Sequence, residues 1–435
     1  MDKKFSSKVG FVLTAVGSAV GMANIWGFPY KLQDGGLIFL IFYIFFVGLF
    51  SYVGLTSEFA VGRLSQAGTL GAYQYSFDST NKNKTISKLI GFIPLTGIFL
   101  IAIGYSVIVA YVFKALIDSI TGEIMTTDVS TWFASFANTE RSVIPFHLII
   151  IIAAILTCIG GASTMEKSNK VMMPAFFVLF LLLGIRILLL PGAIDGYKYM
   201  LRFDISKLNL NTIAAAMGQA FFSLSLTGSA MVTVGSYIKK DIDLVDSSKP
   251  TGLYDTIAAL LASCVMIPAL SVFNMQQVGG PSLLFISLPT ILQNIKFGRI
   301  FSIFLYLAVI FAGISSLQNM FEPVVASLLS RYKKLSRNFM LILVGILTFV
   351  FSVNMETIDK VGHYMDIVSI YIIPIGASIG AVTWFYILKK DLLLDEVNLS
   401  AKKKQTSKWY NLGRFVYVPI AVILTLLALI FKISF

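Results

Sequence analysis

Apolar runs of about twenty residues recur along almost the whole chain, and a run of that length crosses a hydrocarbon core of about 30 Å. Inside hydrocarbon every backbone N–H and C=O must find a partner within the protein, so only helices or a closed barrel can span. Here the runs are continuous rather than alternating, which selects helices. We place spans near residues 9–31, 36–62, 86–120, 144–161, 168–190, 211–237, 253–275, 298–329, 338–354, 363–388 and 411–433, about eleven in all. The expected fold is an all-α polytopic membrane protein forming a single transmembrane domain over residues 1–435, with no soluble domain or low-complexity linker.

Charge then fixes orientation. Only 13% of residues are charged, yet the formal net charge is +12. That excess could suggest nucleic acid, but the basic residues lie in short loops between apolar runs, and membrane orientation accounts for them better. Lys3, Lys4 and Lys8, then Arg63, Lys82, Lys84 and Lys88, fall on one side, as do Lys167, Lys170, Lys239, Lys240 and Lys249. Arg331, Lys333, Lys334, Arg337 and the basic residues from Lys389 to Lys408 follow them there. Loops on the opposite side carry Glu123, Asp128, Glu140, Glu356 and Asp359. The positive-inside rule puts the N-terminus in the cytoplasm, and an odd helix count leaves Phe435 outside. The first apolar run is too long, and too directly followed by another, for a cleaved signal peptide. Cys158 and Cys264 lie within predicted spans, so no disulfide framework is indicated.

Two spans are interrupted. Gly17-Ser18-Ala19-Val20-Gly21-Met22-Ala23-Asn24 places small residues and an amide where a plain spanning helix needs strong helix formers. Taken alone, such glycines equally well let a neighbouring helix pack closely. Span six carries a second polar break, Gly218-Gln219-Ala220-Phe221-Phe222-Ser223-Leu224-Ser225-Leu226-Thr227-Gly228-Ser229. The breaks fall in the first and sixth spans. A five-helix unit used twice puts them at corresponding positions, and an odd unit makes the second copy cross in the opposite sense; such paired breaks point to a midplane binding site. Repeat one would cover about 9–190, repeat two about 211–388, and an extra helix about 411–433. Gly279 to Gln293 is apolar but too short and too punctuated to span, so it reads as an extracellular lid or a plain surface loop.

These residues carry a resemblance. Gly17-Ser18-Ala19-Val20-Gly21 followed by Asn24-Ile25-Trp26 and Phe28-Pro29-Tyr30 resembles the first-helix signature of the sodium-dependent neurotransmitter and amino-acid symporters. Glu58 with Gly62-Arg63, the span-six break, Tyr254-Asp255-Thr256 and Phe311-Ala312-Gly313-Ile314-Ser315-Ser316 match the second, sixth, seventh and eighth helices of that family in order. The likeness runs through the whole chain. Members typically have twelve helices; this chain resembles a bacterial eleven-helix branch that includes a tyrosine transporter.

The resemblance implies symport of an amino acid with sodium, two ions in all, through alternating access. The first sodium site would use the carbonyl of Ala19, the side chains of Asn24 and Asp255, and Ser223, with the substrate carboxylate completing it; each ligand then raises the affinity for the other by the same factor. A second site would use carbonyls of Gly17, Val20 and Ala312 with the hydroxyls of Ser315 and Ser316. Substrate would meet the Tyr105 hydroxyl and the amides of Met22 and Ala23 through its carboxylate. Its ammonium would meet carbonyls of Ala19, Phe222 and Ser223 and the hydroxyl of Ser225. Ile101, Phe222, Gly228, Ser316 and Met320 would line the side-chain pocket, and Gly228, where a bulky residue commonly sits, would enlarge it for a large apolar or aromatic amino acid, tyrosine first. Asp255, a carboxylate within a span, would supply the negative charge that chloride brings in other members, making transport chloride-independent. Glu58 would satisfy backbone groups freed in span six, and Glu322, just before Pro323, would serve either as a structural partner or as a proton carrier.

One position departs from the pattern. Gly27 stands where the family usually has Arg before Phe-Pro, while Asp366 remains where the Arg's partner would be. Asp366 then either attracts cations into the vestibule or meets a residue of the lid that replaces the Arg. Other function classes fare worse. A sodium-independent facilitator, a channel or a receptor is the alternative, but the chain has no charged ring or filter loop. His147 and His363 lack metal-ligand companions and there is no Gly-rich phosphate loop, so no enzyme is expected. The expected location is the bacterial cytoplasmic membrane, with lipid and an amino acid as partners and no nucleic acid.

Overall fold

In the computed structural model residues 4–81, 84–275, 279–332 and 334–432 are described, and every regular element among them is helical. Lys3, Lys82, Lys333 and Phe435, used above to orient the chain, lie outside the described residues. Among the described residues eight helices are long and apolar enough to cross a membrane, joined by three shorter apolar helices, Lys8–Ala19, Ile144–Cys158 and Leu283–Gln293.

Helix α1 (Lys8–Ala19) starts at Ser7, whose side chain accepts from the amide of Gly10, and ends at Val20 in an extended conformation. The chain resumes in a π-turn over Ala23–Gly27 and runs on helically into α2 (Phe28–Phe50), with Pro29 as its second residue. Predicted spans one and two meet inside α2. Gly36 there has φ 56°, and a Cβ on it would lie 2.5 Å from the Arg202 carbonyl oxygen, which accepts from the amide of Leu37 at 3.0 Å. Glycine thus turns the chain sharply between helical segments where the apolar pattern suggests a loop.

A π-turn, Ser51–Leu55, leads into α3 (Thr56–Ser65). Next comes α4 (Thr69–Asp78), a helix in a stretch expected to be loop. Its buried Leu70, Tyr73 and Phe77 recur at helical spacing among polar neighbours, too few to make a span but enough to bury one face. Helices α5 (Phe92–Thr121), α6 (Ile144–Cys158) and α7 (Ala162–Leu188) come next, with Pro174 inside the last.

The second interruption separates α8 (Leu210–Ser223) from α9 (Ala230–Ser236). Between them Ser225 (φ 53°) and Gly228 (φ 71°) are left-handed, which stops helix propagation. Helix α10 (Val245–Val272) follows, then a π-turn, Leu283–Ser287, and the short α11 (Leu288–Gln293). These two elements lie in the stretch read above as a lid or a surface loop and are packed against the helices: Leu284, Phe285 and Ile291 are buried, Phe285 stacks on Phe133 at 5.0 Å, and Tyr306 donates to the Leu284 carbonyl at 3.0 Å.

The remaining helices are α12 (Gly298–Arg331), α13 (Arg337–Ser352), α14 (Ile358–Ile367), α15 (Ile373–Val382) and α16 (Val418–Phe431). Helix α12 packs on α5, α6 and α7, while α8 packs mainly on α2 and α9 mainly on α3. Helix α1 lies against α7, α10 and α12. Both interruptions are therefore enclosed by other helices.

Candidate functional site

Interrupting two helices frees backbone groups, and side chains from other elements take them up. Gln219 donates to the Ala23 carbonyl at 3.1 Å and Ser225 to the Ser18 carbonyl at 2.7 Å, so each break is tied to the other. Asn24 accepts from the amide of Gly21 at 3.1 Å, and Glu58 accepts from the amide of Gly228 at 2.9 Å. The Gly228 carbonyl accepts from Tyr73 at 3.1 Å. Glu58 thus meets freed backbone of the second break and stays behind the cavity.

A first group of polar side chains forms on one side of the α1 break. Asn24 Nδ2 donates to Asp255 Oδ1 at 2.8 Å and to Ser223 Oγ at 3.0 Å, and Ser223 Oγ donates to Asp255 Oδ1 at 2.8 Å. Tyr43 Oη donates to Asp255 Oδ2 at 3.1 Å. All four residues are buried. A buried carboxylate without an ion-pair partner survives only with such donors, and it attracts a cation strongly.

A second group lies on the other side of the break. Ser316 Oγ donates to the Val20 carbonyl at 3.0 Å and to the Gly17 carbonyl at 3.4 Å, and Ser315 Oγ donates to the Ala312 carbonyl at 2.9 Å. The five residues share one locus with hydroxyl and carbonyl oxygens and no formal charge.

Between the groups and the α14 end of the molecule opens a cavity of about 430 Å³. Ala19, Met22, Ala23, Ile101, Tyr105, Phe222, Ser225, Ser316 and Met320 are among the residues that line it. The Tyr105 hydroxyl is buried with no hydrogen-bond partner, close to Gly21 and Ser316, while Tyr105 itself lines the cavity. Two expected residues stand apart. Ser223 belongs to the Asp255 group, and Gly228 is absent from the wall, where Thr227 takes its place. A Cβ at Gly228 would lie 2.6 Å from Tyr73 Oη and 2.8 Å from the Gly376 carbonyl. Gly228 is therefore required by a left-handed backbone and close packing, and the expectation that it enlarges the pocket is corrected.

The cavity mouth carries Gly27, the position where the family usually has Arg. Lys31, one helical turn further along, lines the cavity together with Gly27 and Asp366, and its Nζ donates to Gln219 Oε1 at 2.9 Å. Gly280 and Pro281, just before the π-turn at Leu283–Ser287, also line the wall. Lys31 is hard to single out by sequence because one basic residue near a span end looks like an interfacial anchor; its spacing of four from Gly27 is the available signal. Tyr43 and Gln219 pass as ordinary members of spans two and six.

Other singled-out residues find structural partners. Glu322 accepts from Tyr237 and pairs with Arg337, which fastens α12 to α13. His147 bonds Ser106 and Glu356, each at 2.9 Å, in a fully buried cluster. His363 is exposed. No group of three or more His, Cys, Asp or Glu suited to a metal occurs among the described residues.

An all-helical membrane domain with two interrupted helices clasped around a central cavity defines a transporter architecture. The chain belongs to the sodium:neurotransmitter symporter family, which matches residues 2–144 and 134–434. It is 33% identical to the sodium-dependent transporter YhdH of Bacillus subtilis over 99% of this chain and 98% of that one. A sodium-dependent transporter of Haemophilus influenzae is 25% identical over 98% of each chain. The crystal structure of MhsT in complex with L-phenylalanine shares the fold, with a TM-score of 0.85, 29% identity, and coverage of 98% of this chain and 99% of that one. The protein is accordingly a multi-span, sodium-dependent membrane transporter of a family of transporters rather than enzymes.

Proposed function

We propose that this transporter imports a large apolar or aromatic amino acid with two sodium ions, by alternating access and without chloride. The observation that carries the reading is the junction of Asn24, Ser223 and Asp255 across the two helix breaks, beside a cavity lined by Tyr105, whose buried hydroxyl has no hydrogen-bond partner. One sodium ion binds at Ala19, Asn24, Ser223 and Asp255, and the substrate carboxylate joins it there while accepting from Tyr105 and the amides of Met22 and Ala23. The other binds at Gly17, Val20, Ala312, Ser315 and Ser316. The ammonium meets the carbonyls of Ala19, Phe222 and Ser223 and the Ser225 hydroxyl.

The substrate class follows from the wall. Ile101, Ile108, Phe222 and Met320 give it an apolar body, and MhsT, similar along its whole length, was crystallised with phenylalanine. Tyrosine is the first candidate, since Thr227 and Ser369 at the far wall offer partners for a phenol hydroxyl. Asp255 makes chloride unnecessary by keeping a fixed negative charge in the first ion group. Lys31 and Asp366 close the mouth on each other once substrate is seated. About eleven spans form a five-plus-five inverted repeat, covering about 9–190 and 211–388, in the bacterial cytoplasmic membrane with the N-terminus inside and the C-terminus outside.

Purified protein in liposomes tests this directly. Uptake of tyrosine and phenylalanine should rise steeply with an inward sodium gradient and saturate. Saturable uptake indifferent to the gradient would instead make the protein a facilitator.

A further inference from the structure

The second group of oxygens has an unexplained neighbour. Asn169 on α7 is fully buried, and its Nδ2 donates to the Met165 carbonyl at 2.8 Å. Its Oδ1 has no hydrogen-bond donor. A Cβ placed on Gly17 would lie 2.3 Å from that oxygen and 3.1 Å from Ser315 Cβ. The amide oxygen therefore fills the notch between α1 and α12 that only a glycine at position 17 leaves open, against two residues of the second group. Asn319 on α12 repeats the pattern: its Nδ2 donates to the Ser315 carbonyl at 2.8 Å, and its Oδ1 is buried without a donor. Burying a carbonyl oxygen unpartnered is costly, and each such oxygen in a native protein calls for a partner such as a bound ion or water.

Both amides spend their N–H groups on backbone carbonyls, so what remains is acceptor only. An acceptor-only oxygen at the rim of a pocket of carbonyls and hydroxyls suits a hard cation, which takes oxygen ligands in number. A buried water is the competing occupant and needs two to four polar partners of mixed character.

We propose that Asn169 Oδ1 is a ligand of the sodium ion held by Gly17, Val20, Ala312, Ser315 and Ser316, adding a third helix to that coordination shell. This rests on the second sodium site proposed above. Asn319 acts at one remove, as a positioning residue that fixes the Ser315 backbone. With Asn169 included, the ion joins α1, α12 and α7, so α7 cannot move off α1 without stripping a ligand. Sodium occupancy then holds α7 in place, and sodium loss releases it.

The test is a sodium titration of uptake in liposomes together with equilibrium binding of radioactive sodium to purified protein, on wild type, Asn169→Ala, Asn169→Asp and Ser316→Ala. Asn169→Ala should raise half-saturating sodium about 10-fold, as expected when one ion–dipole interaction is removed, with maximal uptake at saturating sodium retained. Asn169→Asp keeps the oxygen and adds charge, so it should bind sodium at least as tightly as wild type; this variant also decides the matter if the alanine variant does not fold. Wild-type sodium dependence in Asn169→Ala, or an equal rightward shift in both Asn169 variants, overturns the ligand assignment. If Ser316→Ala shifts the titration and Asn169→Ala does not, only that assignment falls. If Ser316→Ala itself has no effect, the second site falls and takes the assignment with it.

Discussion

The two oxygen-rich groups flank the same break in α1 yet are built from opposite materials. One centres on the Asp255 carboxylate, wrapped by donors from Asn24, Ser223 and Tyr43. The other holds only carbonyls and serine hydroxyls, with Ser316 reaching the Gly17 and Val20 carbonyls. Charge makes the first group strong and demanding: a cation entering it must displace donors already satisfied by Asp255, and Asn24 must turn its amide oxygen inward. The neutral group binds through geometry alone, so small displacements of α1 against α12 open or close it. On the reading proposed above, coupling to a negatively charged substrate group belongs with the first, and sensitivity to helix movement with the second.

Neutralising the first group should do the most damage. Asp255→Asn keeps the shape and removes the charge; we expect half-saturating sodium to rise about 100-fold, the scale of removing a charge-assisted interaction from a buried site. The variant should also gain a dependence on chloride, whereas wild-type uptake stays constant when gluconate replaces chloride. Wild-type uptake that collapses without chloride would erase the distinction between the two groups. Removing the Tyr105 hydroxyl acts on the substrate side. Tyr105→Phe should raise the KM for amino acid about 10-fold at saturating sodium, since the hydroxyl has no other partner to lose. An unchanged KM would show that the carboxylate docks elsewhere.

How legible each group is in the sequence follows from its chemistry. Asp255 announces itself because a carboxylate within an apolar run is costly, and Gly17 to Asn24 because clustered small residues weaken a helix. Ser315 and Ser316 carry no such signal, since paired serines usually mark a packing face, and the resemblance alone singles them out. The spans are readable from hydropathy, but the bend at Gly36 is not: it depends on the Arg202 carbonyl, far away in sequence. Helix α4 is hidden for a related reason, its apolar face being narrow. Gly228 misleads because a missing side chain suggests empty space, whereas Tyr73 and Gly376 fill it.

The neutral group should respond more mildly. Ser316→Ala removes one hydroxyl among several oxygens, and a decrease of about 5-fold in sodium affinity is expected, in keeping with a neutral interaction. Chloride should make no difference to this variant. A decrease as large as that of Asp255→Asn would mean that the second group, despite its lack of charge, is the dominant ion site.

The smallest effect is expected at the cavity mouth, where neither group is touched. Lys31 donates to Gln219, and Gln219 in turn holds the Ala23 carbonyl of the first break. If the mouth closes by pairing Lys31 with Asp366, as proposed above, closure would pull on the backbone that carries the proposed binding amides and so link the gate to substrate retention. Partly exposed ion pairs contribute about 1 kcal/mol or less, so Lys31→Met and Asp366→Asn should each weaken substrate affinity only about 3-fold, through faster release. The two effects should not add in the double variant, because one pair is broken either way. Lys31→Arg should retain wild-type affinity. Additive effects would separate the residues: Lys31 would then act through Gln219 alone, and Asp366 would be a vestibule charge that draws cations toward the first group.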